Sequence, residues 1–372
     1  MNSSPKLSII VPIYNGAQYI ENTVSCILSS SYHNLELLLI DDGSTDNSLA
    51  ICEETAKSDS RIKVYHKKNS GIADARNYGL SHATGEYIGF CDQDDEISDA
   101  MYSKMIDRII TDGSQAAICG CYRKKKDGKT VIFEKFTDNV YDTRHIHEKL
   151  LLPMLFQGFD AYHNTDISIY STIWNCIISK RLIDEKRMKF YTFVNYEDDF
   201  IMLLQLLSQA DRISTLSDIL YYWNTNIHSE IHLSTGRYLF DLESRQRNLM
   251  NYIVKTLTSN GISHEIINRY IYIQQCRNAL LQLDNLAAYR GHRSIRRIKV
   301  LRNCESISYI QTASDTVSPK KGFVRNTVII PILRRKHLVI AYFLNELINA
   351  IRLFVEKYHV TEILERRMKS SS

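Results

Sequence analysis

Short apolar runs alternate with amphipathic stretches along the first part of the chain. The runs are continuous, as in strands buried on both faces, and the stretches between them carry apolar residues at helical spacing. This order predicts a parallel sheet wound through right-handed crossovers, with a ligand site at its carboxyl edge. The predicted strands are 7–11 (ended by Pro12), 35–40, 62–65 and 87–91, and the predicted helices are 17–30, 47–57 and 73–82.

The pattern becomes mixed after residue 98 and mostly helical after residue 236. A helix over 99–110 and a strand over 116–122 precede an extended segment, and another strongly apolar helix covers 201–207. We therefore predict an α/β fold, a mostly parallel sheet flanked by helices, followed by a mainly helical region. The predicted domains are 1–235 and 236–372.

Charge is distributed unevenly between these two parts. Residues 1–236 hold 23 Lys and Arg against 32 Asp and Glu, whereas residues 237–372 hold 23 against 10. The basic back half favours an anionic surface as its partner. The eight cysteines show no paired C-x-x-C spacing and mostly lie in apolar runs, which indicates core residues in a reducing compartment. No signal peptide or spanning helix is evident, so we expect a cytoplasmic protein.

Two predicted strands end in acids. Asp41 and Asp42 follow the second, and Asp92, Asp94 and Asp95 follow the fourth. These carboxylates repel one another unless a divalent cation or a set of donors neutralises them, although solvated loops with helix caps are an alternative. Because both strands deliver acids to the same edge of the sheet, a ligand site is favoured.

Other nucleotide-binding classes lack their motifs here. No GxGxxG follows the first strand and no GxxxxGK[ST] occurs, which argues against dehydrogenases and P-loop proteins. A third acidic group, Glu197, Asp198 and Asp199, opens the helix near residue 200. Simple helix capping is the alternative interpretation of that group.

Five motifs in this order resemble the family 2 glycosyltransferases with the GT-A fold. They are Pro12-x-Tyr14-Asn15, Asp41-Asp42-Gly43-Ser44-Thr45-Asp46, Gly71-Ile72-Ala73-x-Ala75-Arg76-Asn77-x-Gly79, Asp92-Gln93-Asp94-Asp95 and Glu197-Asp198. The resemblance covers about residues 5–235. It implies a GT-A-type, Rossmann-like sheet and a nucleotide diphosphosugar, usually a UDP-sugar, as the donor.

The resemblance also implies roles for individual residues. Asp41 would accept the uracil imide hydrogen, Arg76 would face the ring oxygen, and Asp92 would hold the ribose or order its loop. Asp94 would ligate Mn²⁺ or Mg²⁺ on the diphosphate, since hard oxygen ligands favour these ions over zinc. The further residues expected around the donor are Pro12, Tyr14, Asn15, Asp42, Gly71, Asn77, Gln93, Trp174 and His228.

Catalysis is expected from the third acidic group. Asp198 aligns with the family's general base, which would take a proton from the acceptor hydroxyl as it attacks the anomeric carbon opposite UDP, so that the configuration inverts. Glu197 would orient Asp198 or contact the acceptor. Trp174 would offer an apolar face to a sugar, with a place in the core as the alternative.

The segment 331–357 mixes apolar residues with Arg and Lys, and a cluster of basic residues lies between 290 and 302. Such a segment suits an anionic leaflet, although it could instead pack on the catalytic domain or on a second copy of the chain. Nucleic acid is a poor partner because no recognition module accompanies the arginines.

The resemblance implies an inverting, metal-dependent hexosyl- or N-acetylhexosaminyltransferase, and the basic back half favours a peripheral place on the inner face of the cell membrane. The resemblance alone implies the substrate class: sugar would pass from a UDP-sugar to a hydroxyl of a lipid-linked glycan in bacterial capsule or exopolysaccharide synthesis. The alternative is a non-catalytic sugar-nucleotide-binding scaffold subunit of a glycan-assembly complex.

Overall fold

The computed structural model describes residues 4–124, 129–157, 167, 169–194, 197–225, 241–288, 301–313 and 324–358, except the side chains of 287–288, 324–326 and 349–358. His228, the basic residues from 290 to 299 and the predicted boundary at 235 lie outside these ranges. Contacts divide the chain into two compact units, one of 1–157 with 162–229 and the other of 158–161 with 230–372.

The first unit begins with the predicted wound half of a sheet. Its strands and helices alternate, and the parallel pairs β1–β2, β2–β3 and β1–β4 place β1 between β2 and β4. The elements are β1 (Leu7–Ile13), α1 (Ile20–Leu28), β2 (Leu35–Asp41), α2 (Ser48–Ser58), β3 (Ile62–His66), α3 (Ile72–His82) and β4 (Tyr87–Phe90).

The rest of the first unit extends this sheet with both parallel and antiparallel strands. Its elements are β5 (Glu96–Ile97), α4 (Met101–Asp112), β6 (Ala116–Lys124), β7 (Thr130–Glu134), β8 (Asn139–Asp142), α5 (Thr143–Ile146), a π-helical turn (His147–Leu151), α6 (Leu152–Leu155), β9 (Cys176–Ser179), α7 (Lys180–Lys186), α8 (Asp198–Gln209) and β10 (Arg212–Asn224).

The described sheet has the order β3-β2-β1-β4-β9-β6-β10-β5, with β7 beside β6 and β8 beside β10. Strands β1, β2, β3, β4, β6 and β10 point one way and β5, β7, β8 and β9 run against them. The prediction of a mostly parallel α/β sheet is confirmed. The antiparallel β9, inserted between β4 and β6, was not predicted as a separate inner strand.

Pro12 does not end the first strand, contrary to the prediction. The strand continues to Ile13, and Pro12 lies opposite Ile40 of β2. The ladder with β4 stops at Ile10 and Phe90, so β1 has an open edge beyond that point. A proline is tolerated there because no ladder hydrogen bond to β4 is lost.

The second unit is helical in the part that the structure describes. Its helices are α9 (Leu242–Ser259), α10 (His264–Ala288), α11 (Glu305–Thr312), α12 (Val324–Arg334) and α13 (Leu338–Tyr358). The mainly helical C-terminal region is confirmed. The segment 331–357 is not one helix, however, because the chain turns between α12 and α13, where Lys336 has a positive φ of 65°. No described helix is long and apolar enough to cross a bilayer.

Candidate active site

The carboxyl ends of β1, β2 and β4 bring the predicted motifs to one edge of the sheet. Ile13 lies opposite Asp41, and the Asp42 amide donates to the Ile13 carbonyl over 2.8 Å. Cys91 follows β4 and donates to the Ile10 carbonyl over 3.2 Å. The segments that follow these three strands therefore begin close together at one edge of the sheet. They include both predicted groups of acids. This arrangement follows from the parallel direction of the strands.

Asp41 carries a buried carboxylate oxygen that lacks a donor. Its side chain is fully buried; Oδ2 lies 2.7 Å from Nδ1 of His66, and the Ser44 amide donates to the same oxygen over 3.4 Å. Oδ1 has no hydrogen-bond partner within the described residues. A buried oxygen without a donor costs free energy, so an N–H group of a ligand would be stabilised there.

Asp42 holds the loop that precedes α3. It accepts from Nζ of Lys67 over 2.7 Å, and the backbone amides of Ser70 and Gly71 donate to it over 3.1 and 2.8 Å. Gly71 immediately precedes α3 at a φ of 93°, a conformation that favours glycine. Asp42 thus positions this loop, and the donor-binding role expected for Asp42 and Gly71 stays a prediction.

Gln93 ties the second acid cluster to the loop after β1. The Tyr14 amide donates to Gln93 Oε1 over 2.9 Å, and Gln93 Nε2 donates to the Tyr14 carbonyl over 3.1 Å. Asn15, at a φ of 47°, accepts from the Thr45 amide over 2.8 Å. Both polar atoms of Gln93 are therefore engaged by Tyr14, so this side chain shapes the loop instead of reaching outwards.

Arg76 binds three carboxylates at the centre of the site. Its guanidinium is 2% exposed, with Nη2 2.8 Å from Asp92 and Nη1 2.5 Å from both Asp198 and Asp199. It also lies over the ring of Phe190, 5.4 Å from the centroid. The guanidinium is thus occupied by acids from the loop after β4 and from the start of α8, and the expected contact of Arg76 with a uracil ring oxygen stays a prediction.

Three carboxylates around one cation leave an excess of negative charge. Burial raises the pKa of Asp199 to about 8, and the charges of Asp198 and Asp92 act in the same direction, against the effect of Arg76. The pKa of Arg76 itself is raised by these acids despite its burial. We expect Asp199 to carry a proton near neutral pH. Sequence reasoning did not select Asp199; its place beside Asp198 in the first turn of α8 was the available signal.

Asp94 and Asp95 have different surroundings. Asp95 is buried and accepts from the Tyr221 hydroxyl over 2.8 Å and from the Asn224 amide over 2.8 Å. Burial, and then the charges of Asp94 and Asp92, raise the pKa of Asp95 well above its usual value. Asp92 and Asp94, in contrast, are both partly exposed.

This donor set fits a hard divalent cation. Mg²⁺-type sites often use one or two carboxylates together with substrate phosphates, and the partly exposed Asp94 offers such a ligand. Within the described ranges, no group of three or more His, Cys, Asp or Glu side chains is arranged to hold a metal ion. His228, a candidate for contact with the donor, lies outside those ranges.

Several remaining candidates stabilise the architecture around the site. Trp174 is 4% exposed and stacks on Tyr221 with centroids 4.1 Å apart, which is the core position given as its alternative. Asn77 exchanges two hydrogen bonds of 2.9 Å with the backbone of Phe190. The Phe193 and Val194 amides donate to Glu197 Oε1, which closes the turn before α8. Pro12 is buried within β1.

The family model for glycosyl transferase family 2 matches residues 8–173. Glycosyltransferase GlyG of Streptococcus pneumoniae is 30% identical over 249 residues, which are 65% of this chain and 80% of GlyG. The chain belongs to glycosyltransferase family 2. Four of the five predicted motifs lie inside the region that matches the family model, and the Glu197-Asp198 pair lies outside it.

Two further relatives extend the comparison. The uncharacterized glycosyltransferase EpsJ of Bacillus subtilis is 30% identical over 225 residues, and the alignment spans 60% of this chain and 62% of EpsJ. The cholesterol galactosyltransferase of Borreliella burgdorferi is 25% identical over 378 residues, covering 95% of this chain and 97% of its own.

Among solved structures, Staphylococcus aureus TarS 1–349 in complex with UDP-GlcNAc superposes with a TM-score of 0.60. The match covers 92% of this chain and 90% of that chain, at 20% sequence identity. At this identity, the likeness supports the GT-A fold.

Proposed function

We propose that this protein transfers a sugar from a UDP-sugar to a hydroxyl group of a glycan acceptor, with inversion at the anomeric carbon. The observation that carries the proposal is the sharing of Arg76 by Asp92 and Asp198. This contact joins the acidic loop expected to hold the donor diphosphate to the residue expected to act as base. The family relationship and the fold shared with a UDP-GlcNAc complex of TarS support the donor class.

Each group would have a defined task. Asp41 Oδ1, buried without a donor, would accept the imide N–H of uracil. Asp94 would hold Mn²⁺ or Mg²⁺, which when bound neutralises charge on the departing diphosphate. Asp198 would accept the proton of the acceptor hydroxyl while that oxygen bonds to the anomeric carbon and the bond from this carbon to the UDP oxygen breaks. One such displacement inverts the configuration.

A lipid-linked acceptor would bring the enzyme to the inner face of the cell membrane. The basic back half supports this part of the proposal, and so does the relative that spans nearly the whole chain and is named for transfer to cholesterol. We place the reaction in the assembly of a surface polysaccharide such as capsule or exopolysaccharide.

The test is sugar transfer from a panel of UDP-sugars with Mn²⁺. Transfer is measured as UDP release, and the anomeric configuration of the product is then determined. Asp198→Asn should lower kcat by about 10²- to 10⁴-fold and retain donor binding. Asp211→Asn, an exposed change of the same kind, is the matched control. Normal transfer by Asp198→Asn, or retention of configuration, would refute the mechanism. Donor binding without any transfer would favour the scaffold alternative.

A further inference from the structure

The helix α13 is apolar on two opposite faces. Leu338, Ala341, Tyr342 and Asn345 are buried against the second unit. Val339, Ile340, Phe343 and Leu347 lie on the other face and are 45%, 52%, 50% and 54% exposed. A helix that is apolar all round is usually covered all round, whereas scattered single exposed apolar residues are common. The four on this face of α13 form a contiguous apolar surface that the described part of the chain leaves about half exposed.

Basic side chains border this apolar stripe. Arg334, Arg335, Lys336 and His337 form the turn immediately before α13, and all four are exposed. Charge is thus concentrated at one end of the stripe, and no acidic residue occurs between 334 and 345. Glu346 follows, and it accepts a hydrogen bond from the Tyr342 hydroxyl over 2.7 Å.

A cavity of about 400 Å³ in the second unit joins the charges to the apolar stripe. Its cationic or potentially cationic lining is Arg302, Lys336 and His337, and its apolar lining includes Ile307, Val339 and Ile340. Such cations attract a phosphate group, and the aliphatic side chains beside them suit an acyl chain. Arg302 reaches this cavity from a distant part of the sequence.

We propose that this surface, made of Arg302, the turn 334–337 and the exposed face of α13, binds an anionic phospholipid membrane, with lipid phosphates in the cavity and acyl chains against Phe343 and Leu347. The inference deepens the proposed function by locating its membrane contact. Charge decides the occupant: a symmetric contact with a second copy of the chain would bring two identical clusters of cations together, whereas an anionic leaflet complements the cluster.

Vesicle sedimentation of the full chain tests the proposal. Wild-type protein should sediment with phosphatidylcholine vesicles containing phosphatidylglycerol and much less with phosphatidylcholine alone. Phe343→Gln with Leu347→Gln should lower the vesicle partition coefficient by about tenfold or more, since apolar burial is lost. Arg302→Gln with Lys336→Gln should lower it about fivefold for each charge removed, and only with anionic vesicles.

Matched controls on the first unit are Ile132→Gln, where the side chain is 55% exposed, and Arg181→Gln, where it is 84% exposed. Both should bind vesicles as wild type does. Wild-type protein that fails to bind anionic vesicles, or an apolar double variant that binds normally, would overturn the proposal. Should that double variant misfold by circular dichroism, the charge double variant decides alone.

Two further measurements distinguish membrane binding from contact with a second copy of the chain and from the proposed sugar transfer. Sedimentation velocity without lipid should show the same oligomeric state for wild type and the Phe343→Gln, Leu347→Gln variant; dissociation caused by the variant would assign the surface to a second copy and refute membrane binding. UDP release with a soluble acceptor should be unchanged in that variant. Loss of vesicle binding by the variant, with normal sugar transfer, supports membrane binding by this surface. Vesicle binding by a wild-type protein that transfers no sugar refutes only the proposed function.

Discussion

Arg76 Nη1 lies 2.5 Å from Asp198 Oδ2, although 122 residues separate them in the chain. The contact joins α3, in the wound half of the sheet, to the first turn of α8. Because Arg76 binds Asp92 as well, one buried guanidinium fixes the positions of two predicted functional acids. A buried cation with three anionic partners makes the local structure depend strongly on that one side chain.

Arg76→Met should destabilise the protein strongly. It leaves Asp92, Asp198 and Asp199 close together without their cation, and breaking a buried ion pair costs about 3–5 kcal/mol in the free energy of unfolding. Urea denaturation at pH 7 measures the change. Arg181→Met removes an exposed arginine that pairs with Glu185 and should leave the midpoint nearly unchanged. Equal midpoints for both variants would show that the cluster around Arg76 is not structurally coupled.

Asp199→Asn should change how stability depends on pH. The pKa of Asp199 is raised from 3.8 to about 8, so the folded state retains a proton that the unfolded state releases. Its contribution to stability is fully present below about pH 4 and is lost as the pH rises through 8. Relative to wild type, Asp199→Asn should gain up to about 4 kcal/mol between pH 5 and 8. Urea titrations at three pH values measure this, and a pH-independent difference would contradict the expected protonation.

Glu134→Gln should change the pH dependence of stability in the same direction as Asp199→Asn, because Glu134 is a second buried acid with a raised pKa. Burial raises the pKa of Glu134 to about 7, against hydrogen bonds from the Thr172 hydroxyl, the Tyr170 amide and the Asn175 amide group. Its contribution is present below about pH 4.5 and disappears as the pH rises through 7. The stability difference between wild type and Glu134→Gln should therefore fall by roughly 3 kcal/mol across that window. A constant difference in thermal unfolding from pH 4.5 to 7.5 would rule this out.

Gly16→Ala should weaken donor binding through Gln93. A methyl group on Gly16 would overlap the amide end of Gln93, which must then release Tyr14. Loss of these two hydrogen bonds should lower stability by about 1–2 kcal/mol and raise the KM for the UDP-sugar. A double-mutant cycle checks the cause: in a Gln93→Ala background the overlap is absent, and Gly16→Ala should then have little effect. Additive effects would show that Gly16 acts independently of Gln93.

The local pattern of apolar residues was sufficient to predict the wound half of the sheet. Each strand from β1 to β4 is a continuous apolar run, and the stretches between these runs carry apolar residues at helical spacing. It also identified Asp41, Asp92, Asp94 and Asp198 as residues of interest, since acids after buried strands or at a helix start are visible in one dimension. There is one exception in this half. Pro12 was expected to end β1, yet β4 stops short and leaves that edge open.

Tertiary structure decided what those residues contact. The fold brings three carboxylates to Arg76, two of them from a helix that starts more than 120 residues later. Gln93, Asp42 and Trp174 likewise contact residues that are distant in the sequence, which a local pattern cannot predict. Sequence alone determined which segments form strands and helices, because apolar periodicity acts over a few residues. Long-range pairing of charges and strands, such as the insertion of β9 between β4 and β6, depends on positions in space and was decided only by the folded chain.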